Sequence, residues 1–186
     1  EHIHLHGYHS SSISQLAQAA GLGKAGLLHH FKSKEGLLNA VIDYAIDFFR
    51  GYVLTVIQED LPWEQRLEKL LRRQNRLTKV GRRGCFFTNL IMEVGQHGTF
   101  NDKILVFYRE WRQTLRTLVA EVVRDEAEVR EIVYLLHVHY EGAVALYKLS
   151  GNEHHLEYYV NKTVSDLQTK AAQQPSRSHA NKTSHH

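Results

Sequence analysis

The residues with the most definite chemistry lie between Ser12 and Lys34. Lys24 is a partner for phosphate or for guanine, and His29 and His30 can donate to phosphate or to base edges. Ala25, Gly26 and Leu28 stand among them and are small or apolar, which allows close approach and contact with thymine methyl groups. Ser12, Ser14 and Gln15 open one expected helix and Lys34 opens another, positions that suit contact with a phosphate backbone. Together these residue types suit double-stranded DNA. The same stretch also carries Gly21-Leu22-Gly23-Lys24-Ala25-Gly26, which fits the dinucleotide pattern G-x-G-x-x-G. That pattern works only directly after a β-strand. Here the residues before it have helical period, and no acidic residue follows at the end of a second strand.

Presenting such a set takes a short exposed helix braced by a second one. Ile13, Leu16, Ala17 and Ala20 recur at i, i+3, i+4 and i+7, the mark of one apolar helix face. Ser10, Ser11 and Ser12 precede it and can cap it. Gly21-Leu22-Gly23 stops it, since glycine tolerates the left-handed backbone of a sharp helix end. A second short helix follows, with Leu27 and Phe31 turned inward. Helix, glycine turn and helix form the helix-turn-helix pattern, whose second helix enters the major groove.

From Gly7-Tyr8 to Leu38 the chain resembles the DNA-binding domain of the TetR/AcrR family of bacterial regulators. The matching residues are Gly7-Tyr8, Ile13, Leu16-Ala17, Ala20-Gly21-Leu22, Leu27, His29-His30-Phe31, Lys34-Glu35 and Leu37-Leu38. Leu28 stands where most relatives have tyrosine, and Gly23 where many have a capping serine. A weaker likeness, to one subgroup, covers Gly84-Cys85-Phe86-Phe87-Thr88-Asn89-Leu90 and Glu93. The resemblance implies an all-α fold of about nine helices: a helix-turn-helix domain (residues 1–42) and a ligand-binding and dimerisation domain (43–169). It implies a homodimeric repressor that a small molecule releases from a palindromic operator. It also implies a full first helix before Gly7-Tyr8. Because the chain opens on Glu1 rather than methionine, part of that helix is expected to be missing.

Family ligand domains open a pocket among their helices. Phe49, Tyr52, Trp63, Phe86, Phe87, Tyr108 and Trp111 are the aromatic candidates here, with Asn89, Glu93 and His137 as polar members. They fit a small hydrophobic or aromatic ligand, and ordinary core packing is the competing role for each. Cys85 follows Arg82-Arg83-Gly84 near an expected helix start, where cations and the helix dipole lower a thiol pKa. That makes it a candidate for electrophile or redox sensing, as in some relatives. A third alternative is an all-α carrier or enzyme built on the same pocket.

The remaining chain reads as long amphipathic helices: Lys34 to about Gln58, Glu64 to about Lys79, Cys85 to Gly95, Asp102 to about Arg124, Glu126 to Leu149 and Glu153 to Leu167. Thr99 or Asn101 could cap the fourth of these, whose buried side should carry Ile104, Leu105, Tyr108, Trp111, Leu115, Leu118 and Val122. The helix at 126–149 has two apolar stripes, one through Val129, Val133, Leu136 and Tyr140, the other through Leu135, Val138, Gly142, Ala145 and Leu149. Such a helix must be covered on both sides, so it and the helix at 153–167 are read as the homodimer interface. Residues 170–186 change to Gln, Ser, Asn and His without period and read as a flexible tail.

The chain has 186 residues, 42% of them hydrophobic, and a formal net charge of +3, which permits a polyanionic partner without demanding one. A single cysteine excludes an internal disulfide and suits the cytoplasm. No run is long and apolar enough for a membrane span. No cofactor and no metal site is expected. His2, His4 and His6 alternate, His137 and His139 are two apart, His154 and His155 are adjacent, and none has the i, i+4 spacing of a helical zinc site. No nucleophile and base pair up, so no enzyme is expected.

Overall fold

A computed structural model describes residues 1–95 and 100–173. The described residues form nine α-helices, two short 3-10 turns and no strand: α1 His2–His6, α2 Ile13–Ala19, α3 Lys24–Phe31, α4 Lys34–Tyr52, α5 Trp63–Lys79, α6 Phe86–Val94, α7 Asn101–Val119, α8 Glu126–Ser150 and α9 His154–Gln173.

Local chemistry sets the first helices. Ser12 caps α2 by accepting from the Gln15 backbone N–H, and the Gln15 side chain accepts from Ser12 N at 2.8 Å. This reciprocal box satisfies two donors that would otherwise be orphaned at the helix start. Gly21 then takes a left-handed φ of 67° and ends α2. Leu16 and Ala17 of α2, Leu27 of α3 and Leu38 of α4 are all buried in the same core, with α3 packed between α2 and α4. Ser33 caps α4 by accepting from Gly36 N at 2.9 Å. A Cβ at position 36 would lie 2.1 Å from Phe31 O, so only glycine fits where α3 hands over to α4.

The larger helical body packs α8 against α7 and α9, and α5 against α9. Its core runs through Leu67, Leu70 and Leu71 of α5, Phe107, Trp111, Leu115 and Leu118 of α7, and Val129, Val133, Leu136 and Tyr140 of α8.

Five expectations need correction. The helix from Lys34 ends at Tyr52, and Leu54–Gln58 tightens into a 3-10 turn. Val53, Leu54 and Val56 are all buried there, which a continuous helix would spread around its axis, and Thr55 Oγ1 folds back to Gly51 O at 2.7 Å. Helix α7 stops at Val119, and a turn carries Val123 into the core instead. Within α7 the register places Phe107 in the core and leaves Leu105 about half exposed. Asn101 is the first residue of α7 rather than its cap, its Nδ2 donating to Gly95 O at 3.1 Å, and Thr99 lies outside the described residues. The expected tail begins too early: Lys170 to Gln173 are the last turn of α9, held by an ion pair from Lys170 to Glu128 of α8.

Candidate DNA-recognition helix and helical interior

Helix α3 is anchored by Leu27, which is fully buried, and by half-buried Phe31. Lys24, Ala25, Gly26, His29 and His30 are exposed together on its outer side, and Leu28 is half-buried at the edge. Ser12, Ser14 and Gln15 are exposed at the start of α2, with Ser12 and Gln15 already committed to each other as the cap. Lys34 behaves differently from expectation. Its Nζ lies 4.5 Å from the centre of the Tyr8 ring and 3.5 Å from His9 O, so it braces the link between α1 and α2. Lys32 was not among the residues expected from sequence. It ends α3 with a φ of 62° and is exposed, its Nζ 2.8 Å from His29 O, which adds a cation at the helix C-terminus.

Inside the larger body, Phe49, Phe87, Tyr108, Trp111 and His137 do come together. Phe107 lies 4.6 Å from Phe87 and 5.1 Å from Phe49, and Trp111 lies 4.7 Å from His137 and 5.5 Å from Tyr140, ring centre to ring centre. Phe107, Tyr140 and Gln74 join this cluster without having been expected there. For Phe107 the helical register from Ile104 to Trp111 carried the signal. Polar atoms thread the aromatic shell: Tyr140 Oη is 2.6 Å from Thr78 Oγ1, and Tyr108 Oη is 3.2 Å from Thr88 Oγ1. Burial drives the pKa of both tyrosines upward, so both stay protonated. Trp111 Nε1, His137 Nδ1 and Glu141 Oε1 are buried without a hydrogen-bond partner among the described residues. Orphaned buried polar atoms are costly and uncommon in a packed core. A cavity of about 190 Å³ abuts the cluster, with Glu1, His4, Thr78, Cys85 and Tyr140 among its polar lining and Tyr44, Phe48, Phe49, Phe86 and Phe87 among its aromatic lining.

Other expected members lie elsewhere. Tyr52 stacks on Phe48 under the Arg73 guanidinium, and Trp63 is half-buried at the start of α5. Phe86, by contrast, stays at the cavity wall, its ring edge-on both to Phe87 and to His4 of α1. Asn89 donates to Arg83 O and accepts from Lys148 Nζ at 2.8 Å. Glu93 leaves the interior altogether. Its carboxylate accepts from the backbone N–H groups of Tyr8 at 2.8 Å and His9 at 2.5 Å, tying α6 to the link between α1 and α2.

Cys85 is a buried core residue. Arg82 and Arg83 are exposed and the thiol is buried. Burial, with a smaller push from the Glu141 carboxylate, raises its pKa to about 11. The thiolate needed for fast reaction with electrophiles is therefore scarce at neutral pH, because desolvation outweighs the distant cations and the helix dipole. Iodoacetamide at pH 7 is expected to alkylate native Cys85 on the order of 100-fold more slowly than an exposed thiol of ordinary pKa. Urea should restore the ordinary rate. Fast labelling of the folded chain would contradict this.

His137 is held down to about 4, first by burial and then by the positive field of Arg112. With a folded pKa below its ordinary value, the folded chain binds fewer protons than the unfolded one as pH falls. Its stabilising contribution is complete above about pH 6.5 and fades as pH falls toward 4. Allowing for partial exposure, the loss is roughly 2 kcal/mol. Urea unfolding at pH 7 and pH 4.5 should show it, and His137→Gln should remove that part of the difference.

On the opposite side of α8, Leu135, Val138, Leu146 and Leu149 are exposed, with Tyr158 of α9 beside them. Of these, Leu135, Val138, Leu146 and Tyr158 line, with Gly142, a mainly apolar groove of about 1020 Å³ between the two helices. Among the described residues, no three His, Cys, Asp or Glu side chains converge to hold a metal, and no helix is long and apolar enough to cross a membrane.

An exposed recognition-type helix on a helix-turn-helix, joined to an aromatic-lined helical body, defines a DNA-binding regulator. Residues 1–41 match the model described as bacterial regulatory proteins, tetR family, and residues 64–163 match the tetracyclin repressor-like C-terminal domain. The chain belongs to the TetR family of transcriptional regulators, whose members are not enzymes. Among similar solved structures, a TetR regulator from Legionella pneumophila is 21% identical, with a TM-score of 0.79 over 88% of this chain and 90% of that one. One from Chloroflexus aurantiacus is 26% identical, with a TM-score of 0.77 over 89% of this chain and 88% of that one. AibR, solved with isovaleryl coenzyme A and operator DNA, is 21% identical, with a TM-score of 0.64 over 88% of this chain and 90% of that one. No curated protein matches the chain.

Proposed function

We propose that the protein is a homodimeric repressor that binds a palindromic operator through α3 and is released by a small hydrophobic or aromatic inducer held in the helical interior. Residues 1–42 act as the DNA-binding domain and 43–169 as the ligand and dimer domain. The observation that carries this reading is the outer face of α3, where Lys24, His29 and His30 stand exposed beside Ala25 and Gly26 over a buried Leu27 anchor. Two copies joined through α8 and α9 would set their α3 helices about 34–36 Å apart, one turn of DNA. An inducer that binds more tightly to a dimer with another spacing shifts the population by that difference in affinity. Glu93 offers a mechanical link, since a displaced α6 would pull on Tyr8 and His9. AibR, which was solved with both an acyl-coenzyme A and DNA, supports the general scheme for this fold.

Fluorescence anisotropy of the full chain on its own upstream promoter DNA, across a salt series, tests the proposal. Saturable binding that scrambled DNA does not compete away is expected. Lys24→Ala should weaken it about tenfold and reduce the salt slope by about 1. Absence of specific binding to that DNA would remove the operator assignment and favour a carrier built on the same interior.

A further inference from the structure

Helix α7 carries Arg109, Arg112 and Arg116 at i, i+3 and i+7, which puts all three on one helix face. Helix α8 runs alongside and contributes Arg130 and Tyr134. With Gln113 and Val133 these residues line a cleft of about 420 Å³, inside the roughly 300–1,000 Å³ range of small-molecule sites. Its lining holds four guanidinium groups and no carboxylate. Glu126 at the rim pairs with both Arg116 and Arg130, so one carboxylate serves two arginines. Arg109 and Arg112 have no ion pair among the described residues. The cleft thus keeps about three uncompensated positive charges. Their field is felt behind the wall, where Arg112 helps keep the His137 imidazole neutral.

We propose that this cleft binds a phosphorylated small molecule, whose oxygens bridge Arg109 and Arg112 of α7 and Arg130 of α8. The planar guanidinium fork matches phosphate oxygens in pairs. Charge selects the ligand class. A monocarboxylate leaves most of the positive excess unanswered, whereas a diphosphate matches it. Duplex DNA is a poor occupant, because the site lies between two helices whose main packing partners are α5, α9 and each other rather than the α2–α3 unit. The site is separate from the interior cavity and does not depend on the inducer assigned to it.

Calorimetric titration of the full chain with inorganic pyrophosphate, ADP and acetate in low salt tests the proposal. Pyrophosphate and ADP should each bind saturably at one site per chain, and acetate should not. A preference for ADP would point to a nucleotide, and equal affinity to the bare diphosphate. The Arg109→Gln/Arg112→Gln double variant should lose at least tenfold in affinity for both, with an unchanged melting temperature. Since both arginines are solvent-facing, the variant is expected to fold, and circular dichroism would verify this. Lack of saturable binding by either phosphate compound would overturn the proposal, as would full retention of binding by the folded double variant. Competition by duplex DNA that persists in the double variant would place the phosphates on the α3 face and overturn it as well.

Discussion

Leu146→Glu is expected to leave the protein folded, to convert it from a dimer to a monomer, and to weaken operator binding at least a hundredfold. Leu146 is about half exposed in the single chain, on the apolar groove between α8 and α9, so the substitution removes little packing within one copy. In a two-fold dimer built on this groove the same patch meets its own copy, and each substitution enters the interface twice. Two carboxylates would then be buried in a mainly apolar seam whose lysines, Lys162 and Lys170, are already paired with Asp166 and Glu128, a cost of several kcal/mol. The loss on DNA follows from linkage: joining two recognition helices raises apparent affinity by about 10²–10⁴ over one alone. Sedimentation velocity and promoter anisotropy on the same sample measure both effects. A variant that stays dimeric would move the interface off this groove. A monomer that still grips the full operator would end the dimeric reading.

Trp111→Ala should destabilise the fold by about 3–5 kcal/mol, a large share of the ~5–15 kcal/mol that holds a typical domain together. The indole is almost fully buried and touches the rings of Phe49, Phe107, Tyr108, His137 and Tyr140, so its removal opens a cavity shared by α4, α7 and α8. Trp111→Phe should cost much less, about 1 kcal/mol. It keeps an aromatic body in place and removes an N–H that has no hydrogen-bond partner. Equilibrium urea unfolding followed by far-UV circular dichroism would separate the two variants. If Trp111→Ala lost under 1 kcal/mol, the ring cluster would be a loose ligand cage rather than a structural core.

The helix-turn-helix is legible in the sequence, because everything that makes it is local. The capping residue Ser12, the apolar spacing from Ile13 to Ala20, the left-handed turn at Gly21 and the buried Leu27 all act within a few residues of one another. The exposed face of α3 follows from the same period, and so does the exposed second stripe of α8. Which polar groups serve which site is set by packing between distant segments. In sequence Glu93 suits the ligand pocket and Lys34 a phosphate contact, yet both are held by the link between α1 and α2, far from Glu93 along the chain. Cys85 sits beside two arginines in sequence, but burial and Glu141 dominate its environment, since electrostatics and desolvation depend on distance in space. The arginine cleft likewise exists only because α8 lies along α7. The helix ends at Tyr52 and Val119 were fixed in the same way, by side chains that the core draws inward after each helix stops. Period and caps act over one or two turns, so they write the helices. Packing between distant segments writes the sites.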